Sequence, residues 1–458
     1  MKSKWVLVSL SLFVIMYVAN LAHAPHAAEM MLRWLAVAAL LFYGWQKKTN
    51  TTWIMVFMVV GACFGHDFPR IAANGRVPSM IFIRLVKTIV APLLFAMLTL
   101  GIARHADLKR TGRMGIKALI YFEIVTTIAL FIGLAAINIS KAGVGINLKG
   151  AQEQVVQVAK QTPQDVILHI FPENIAKSVA EGQVLQTVVF CILFGLGLAL
   201  APEDKRKPML DFCESLAAGM FKFTGIVMWF APLGVAGAIS YAVSHAGIGI
   251  LLNLGKLILT LYCALIVFVL CVLLPVALIF KVPIKRFLKA VAEPFTIAFA
   301  TTTSEPALPV ALQNMERLGC SRQACALVLP LGYSFNLDGS TLYLSLGTVF
   351  VAQVAGVHLP FSTQIIIVLT LMLTSKGMAA IPRATLVILL GTLAQFGLPL
   401  EPIFIVLGID EVMDMARTGV NIVGNCLATV VVAKMEGEFQ LRPEEEPIAA
   451  VTAAASAS

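Results

Sequence analysis

Residues 298–312 read AFATTTSEPALPVAL, an apolar stretch whose middle carries three threonines, a serine, a glutamate and two prolines. Proline removes a backbone donor and its ring clashes with the carbonyl four residues back, so no helix runs smoothly through SEP. The same interruption recurs at residues 374–389, TSKGMAAIPRATLVIL, where AIPR breaks the run. A polar stretch between apolar flanks follows each break: LGYSFNLDGSTLY at 331–343 and GIDEVMDMARTGVNIVGN at 408–425. Ser304 and Asn336 stand 32 positions apart, and so do Pro382 and Asp414. This equal spacing predicts a duplicated unit of one broken hairpin followed by one polar helix.

The setting is a membrane. Hydrophobic residues make up 59% of the 458-residue chain and charged residues 13%, and the mean hydropathy is +0.88. A soluble domain is about 45–50% apolar and about 25% charged. Apolar runs near the roughly 20 residues of a bilayer crossing recur from end to end, which makes one polytopic, all-α membrane protein rather than several soluble domains. Crossings are expected to begin near Trp5, Met31, Trp53, Ile81, Ile116, Val184, Met220 and Lys256. The net charge of +9 resides in short clusters, at Lys2/Lys4, Lys47/Lys48, Arg104 to Lys117, Lys205 to Lys207 and Lys281 to Lys289, after alternate crossings. Positive-inside loops account for them, and they form no basic face for nucleic acid.

Both ends of the chain differ from its middle. The opening MKSKWVLVSLSLFVIMYVANLAHA has the charged start, apolar middle and A-H-A ending of a signal peptide. We read it as a retained helix, because its removal leaves an odd crossing and spoils the charge alternation. Residues 1–50 then form an extension of two apolar helices, 51–439 the main domain, and 440–458 a disordered cytoplasmic tail of small and polar residues. The eight cysteines are scattered, mostly within apolar segments, and Cys320/Cys325 lack the second pair that a zinc site needs. None of the seven histidines falls in the polar motifs, which argues against a histidine proton relay.

Broken apolar segments at matching positions of two repeats point to a transporter's midplane site, because non-helical backbone survives at that depth only when buried in protein or lining a cavity. At about 100° per residue, Asp410, Asp414, Arg417, Asn421 and Asn425 share an arc of roughly 80°, and Glu411 lies outside it. An arginine or aspartate at the bilayer centre costs about 2.5–3.5 kcal/mol, so that face must meet protein, water or cargo. A helix-gluing Asp/Arg network is the competing reading; five polar groups exceed what gluing needs. Arg84 and Lys87, in SMIFIRLVKTIVAPL, are read as snorkelling or structurally paired.

Four motifs together, TTTSEPALP, YSFNLDGSTLY, SKGMAAIPRAT and DMARTGVN, resemble, in order and spacing, the glutamate transporter family, the dicarboxylate/amino acid:cation symporters. The resemblance runs from FIRLVKTIVAPL at Phe82 to KMEGEF at Phe439. It implies eight transmembrane helices and two re-entrant hairpins at about 289–318 and 361–396, to which this chain adds its two N-terminal helices. It also implies a homotrimer in the bacterial inner membrane. A scaffold part (about 51–113 and 165–250) would hold the trimer while a transport part (about 114–140 and 251–439) slides across the bilayer as an elevator. By position, Arg417 would take the side-chain carboxylate of an acidic substrate and Asp414 its α-ammonium. Asn421 would take the α-carboxylate with backbone donors at the hairpin tips around Thr303, Ser304, Ile381 and Pro382, and Ser340 the other end. A guanidinium fork does pair bidentately with a carboxylate. The family's dicarboxylate-specific members have a serine at the Asp414 position, so glutamate or aspartate is the expected substrate and a C4-dicarboxylate the alternative.

The resemblance further implies that Gly332, Asn336, Asp338 and Asn421 supply sodium ligands, since hard cations prefer carboxylate and carbonyl oxygen. Asn425 replaces the carboxylate of sodium-coupled members, as in the proton-coupled bacterial glutamate/aspartate symporters, and Leu344 replaces the proton-carrying glutamate of animal members. A co-transported proton would then ride on Glu123, Glu305, Asp338 or Asp410. Glu123 also reads as a solvated residue near the membrane edge, and Glu305 as a helix cap. At the second hairpin tip, Ala380, Arg383 and Thr385 stand where the family has glycines, implying a stiffer gate and, at Arg383, a second anion-binding charge that would favour a dicarboxylate. No H-E-x-x-H, G-x-S-x-G, Walker loop or cysteine/histidine pair supports the remaining alternative, a membrane-embedded hydrolase or a sensor. No catalytic cofactor is expected.

Overall fold

The structure, a computed structural model, describes residues 4–21, 25–103, 110–146, 168, 171–377, 384–400 and 402–442. The described residues form helices and no strands, with a single isolated bridge between Cys320 and Phe439. Five of these helices are long and apolar enough to cross a membrane: His26–Lys47, Pro69–Leu100, Arg113–Ser140, Ile250–Ile279 and Ile405–Met435. A sixth results if Glu203–Met228 and Ala231–Ala246, bent by 47° at their junction, count as one span. By length and composition, then, the described residues hold five or six of the ten crossings expected from sequence. Lys4–Asn20 and Gln186–Leu200, where crossings were expected, are shorter apolar helices among the described residues.

The first break in the apolar runs is a break in helix, and the second, AIPR, lies outside the described residues. The first hairpin consists of Ile284–Thr301 and Leu308–Leu318. It begins five residues before the expected 289, directly after Pro283, and its arms are joined through Thr302 at φ 54° and the turn Glu305–Ala307. The second hairpin consists of Phe361–Thr374, the turn Ser375–Gly377 and Ala384–Gln395. Ala380, Ile381, Pro382 and Arg383 lie outside the described residues. Between the hairpins, Arg322–Phe335 and Asp338–Val354 are separated by two non-helical residues, Asn336 (φ −127°, ψ 64°) and Leu337 (φ −98°, ψ 67°). The last helix, Ile403–Met435, runs unbroken for 33 residues.

Small residues set the close helix contacts, as they do where lipid offers no hydrophobic drive for association. Asn50–Asp67 lies against Ala231–Ala246, and a Cβ at Gly61 would sit 2.5 Å from the Ala236 carbonyl oxygen. In the extension, Lys4–Leu21 packs on His26–Lys47, which in turn packs on Asn50–Asp67. Arg33 and Asp67 form a buried ion pair there, with Trp34 Nε1 donating to Asp67 Oδ2 at 3.0 Å. Removing either charged partner would leave the other buried and uncompensated.

At the other end of the last helix, Glu436 takes Arg113 Nη2 at 2.5 Å and Lys117 Nζ at 2.6 Å. The hydrogen bonds from Arg113 and Lys117 hold the Glu436 carboxyl below the ordinary carboxylate range. Of the expected tail, residues 440–442 are described: Gln440 N donates to Gly319 O at 2.9 Å, and Arg286 Nη1 to Arg442 O at 2.8 Å. Residues 443–458 lie outside the described residues.

Candidate functional site

The polar face of the last helix is buried throughout: Asp410, Asp414, Arg417, Asn421 and Asn425 are each at most 5% exposed. Charge so placed persists only when compensated, and compensation begins within the helix. Arg417 Nη2 donates to Asp410 Oδ1 at 2.8 Å and pairs with Asp414 Oδ1 at 3.0 Å. Its guanidinium carbon lies 4.0 Å from the centroid of the Tyr343 ring, a cation–π contact from the neighbouring helix. Arg417 Nε and Nη1 and Asp410 Oδ2 are buried without a hydrogen-bond partner among the described residues. Two guanidinium nitrogens left over in this way suit one more planar anion.

The unwound segment at 336–337 meets this helix one turn further along. Asn421 Oδ1 accepts from Gly339 N at 2.8 Å and Ser340 N at 3.4 Å, and its Nδ2 donates to Ser340 Oγ at 3.1 Å. These are the first amides of Asp338–Val354, which a helix cannot satisfy internally. Asn336 Nδ2 donates to Asp338 Oδ2 at 3.2 Å and to Asn425 Oδ1 at 3.1 Å. Asn336 Oδ1, Asp338 Oδ1 and Asn425 Nδ2 are buried without partners among the described residues. Two unused oxygens beside one unused amide donor make a weaker cation site than three oxygens.

Glycine permits this contact. A Cβ at Gly339 would lie 2.6 Å from the Arg417 carbonyl oxygen and 2.9 Å from its Cα, both backbone atoms that cannot swing away. Gly339→Ala is expected to push the two helices apart at a cost of about 1–3 kcal/mol, lowering the thermal unfolding midpoint of the purified protein and abolishing transport. An alanine variant with unchanged midpoint and uptake would show that this contact is looser than described.

The first hairpin tip reaches the same helix. Thr302 Oγ1 donates to Thr301 O at 2.7 Å and lies 3.5 Å from Glu411 Oε1, Thr301 Oγ1 donates to Ile297 O at 2.8 Å, and Ser304 is buried. Glu305 opens the turn beyond and is exposed. Glu411, outside the polar arc, is thus turned to the hairpin. Glu123 is 45% exposed and pairs with Lys376 at 3.1 Å, so it is not a residue facing solvent alone. Gly332 and Asn336 end the helix before the break. Lys87 lines a cavity of about 370 Å³ with Thr88, Glu181, Thr187 and Gly391; none of its lining residues belongs to the polar cluster. Of the residues singled out from sequence, Asp410, Asp414 and Arg417 form one cluster, Ser340 and Asn421 a second, and Asn336, Asp338 and Asn425 a third beside it.

Tyr343, Glu411 and Lys376 were not anticipated. A helical wheel sees one helix at a time, whereas each of these three acts between elements. The signal for Lys376 was available, as a lone lysine in an otherwise apolar arm.

Residues 51–435 match the family model of the sodium:dicarboxylate symporter family. The chain is 39% identical over 415 residues to the proton/sodium-glutamate symport protein of Geobacillus stearothermophilus, covering 88% of this chain and 98% of that one. It is 39% identical over 411 residues to the proton/glutamate-aspartate symporter of Escherichia coli (strain K12), covering 86% and 94%. A C4-dicarboxylate transport protein of Bacillus subtilis (strain 168) is likewise 39% identical, over 399 residues, covering 86% and 94%.

Proposed function

The chain belongs to the sodium:dicarboxylate symporter family, and on that premise we propose that it is a secondary active symporter importing glutamate and aspartate together with protons. It is a multi-pass plasma-membrane protein, and its co-transported ion takes the place of any cofactor. The observation that carries the substrate reading is Arg417, fully buried, with two guanidinium nitrogens unpartnered among the described residues and Asp414 at 3.0 Å. In this reading the guanidinium takes the substrate's side-chain carboxylate and Asp414 its α-ammonium. Asn421 and the hairpin tips at Thr303, Ser304, Ile381 and Pro382 take the α-carboxylate, and Ser340 the far end. The proton rides on Glu123, Glu305, Asp338 or Asp410. Sodium at Gly332, Asn336, Asp338 and Asn421 is the alternative.

The proposed assembly is a homotrimer in which the part formed by about 114–140 and 251–439 moves as an elevator against 51–113 and 165–250. It has eight crossings and two re-entrant hairpins, with two further N-terminal helices. Cross-linking in native membranes tests it, and a purely monomeric pattern would count against it.

Asp414→Ser separates an amino acid from a dicarboxylate. A charge-assisted hydrogen bond is worth about 1.5–3 kcal/mol, so glutamate and aspartate should bind about 10- to 150-fold more weakly while succinate and malate are spared. Competition against radiolabelled substrate in proteoliposomes measures this. An equal loss for both substrate classes would remove the ammonium from Asp414, and wild-type uptake of succinate in preference to glutamate would favour the C4-dicarboxylate reading, which the similarity to the Bacillus subtilis protein keeps in play.

A further inference from the structure

Arg442, the last described residue, sits against a basic face. Lys285, Arg286 and Lys289 belong to the first arm of the first hairpin, Ile284–Thr301, and at about 100° per residue they share an arc of roughly 100°. Lys285 and Lys289 are exposed, and Arg286 Nη1 donates to Arg442 O at 2.8 Å. Two more exposed arginines, Arg317 and Arg322, flank the stretch 319–321. That stretch pairs with 438–440: Ser321 N donates to Glu438 O at 3.0 Å and Gln440 N to Gly319 O at 2.9 Å. Acids close to this end are engaged. Glu436 is held by Arg113 and Lys117, and Glu438 Oε2 accepts from Ser321 Oγ at 2.5 Å.

The sequence continues from Arg442 as RPEEEP, residues 442–447. A chain spans at most about 3.3–3.6 Å per residue, which keeps Glu444 within about 7 Å of Arg442 and Glu446 within about 14 Å. Positive-inside topology accounts for the sign of the basic residues, but not for three consecutive glutamates placed this close to them. One exposed ion pair contributes little. A run of three, tethered beside three cations, gains from the high effective concentration that a short tether imposes. We propose that this basic face is a docking surface whose occupant is the chain's own acidic run, Glu444 to Glu446, bound in cis to Lys285, Arg286 and Lys289. Anionic lipid headgroups, drawn to the same charges, are thereby kept off it. The contact ties the end of the last helix to the base of the first hairpin, whose tip bears on Glu411.

The experiment uses the full-length protein in proteoliposomes of phosphatidylcholine, with and without phosphatidylglycerol. A water-soluble carbodiimide joins a carboxylate to a lysine amine with loss of water and no spacer, and the joined peptides are identified by mass spectrometry. Glu444 to Glu446 should join Lys285 and Lys289 in preference to the other lysines, in both lipids. The yield should fall severalfold between about 0.01 M and about 1 M salt, as the screening length shrinks from about 30 Å to about 3 Å. Arg286→Gln keeps both reactive lysines but removes the anchor at Arg442, and should lower the yield severalfold at low salt. Absence of these products, while the same glutamates couple to added glycine ethyl ester, would overturn the proposal, as would their even spread over other lysines. Loss of the products on adding phosphatidylglycerol would give the face to lipid headgroups instead. In samples mixing heavy- and light-isotope chains the joined peptides should carry one isotope, and mixed pairs would refute docking in cis.

Discussion

Arg417→Ala is expected to reduce uptake of glutamate and aspartate to background. The guanidinium is fully buried, and its neighbours Asp410 and Asp414 are acidic. Without it the substrate's side-chain carboxylate would enter a buried site holding two negative charges and no matched cation. Truncating one partner of a buried hydrogen-bonded charge pair costs about 2–5 kcal/mol, or roughly 30-fold to several-thousandfold in affinity. The same truncation leaves Asp410 and Asp414 uncompensated, so a loss of fold must be separated from a loss of binding. Arg417→Lys does this, because a lysine keeps the charge while losing the planar fork and most of the contact over Tyr343. It should restore the folded protein and leave uptake severely impaired. Uptake of radiolabelled substrate, normalised to reconstituted protein, is the readout. Near wild-type transport by a folded Arg417→Ala protein would remove Arg417 from the binding machinery.

The parts of this molecule legible in its sequence are those where one residue type forbids a regular helix in an apolar run. The prolines of SEP mark the first hairpin, whose arms end and resume at Thr301 and Leu308, and NLDG marks the interruption at Asn336 and Leu337. The polar face from Asp410 to Asn425 follows from the helical repeat alone, and it is buried along its length. What the sequence did not reveal depends on a second element. Glu411 fell outside the polar arc, yet it meets Thr302 of the first hairpin at 3.5 Å. Tyr343 reads as one more aromatic in an apolar helix until the Arg417 guanidinium is found over its ring. Lys376 belongs to a helical turn whose partners are some 250 residues earlier in the chain.

The driving ion is the central claim. Sodium must exchange its hydration shell for protein oxygens, and charge among them makes that exchange favourable. Where the resemblance implies a carboxylate in sodium-coupled members this chain has Asn425, whose Oδ1 already accepts from Asn336 Nδ2 at 3.1 Å. Its remaining group, Nδ2, is a donor without a partner among the described residues, and a donor repels a cation. A buried carboxylate, in contrast, is destabilised in its charged form and takes up a proton more readily than one in water. Asn425→Asp should therefore confer sodium dependence that the native chain lacks. The direct measurement is radiolabelled glutamate uptake into proteoliposomes under two single gradients. With an inward proton gradient and no sodium, uptake should be robust and should collapse with an uncoupler. With an inward sodium gradient and no proton-motive force it should stay at background, and robust uncoupler-resistant uptake there would contradict proton coupling.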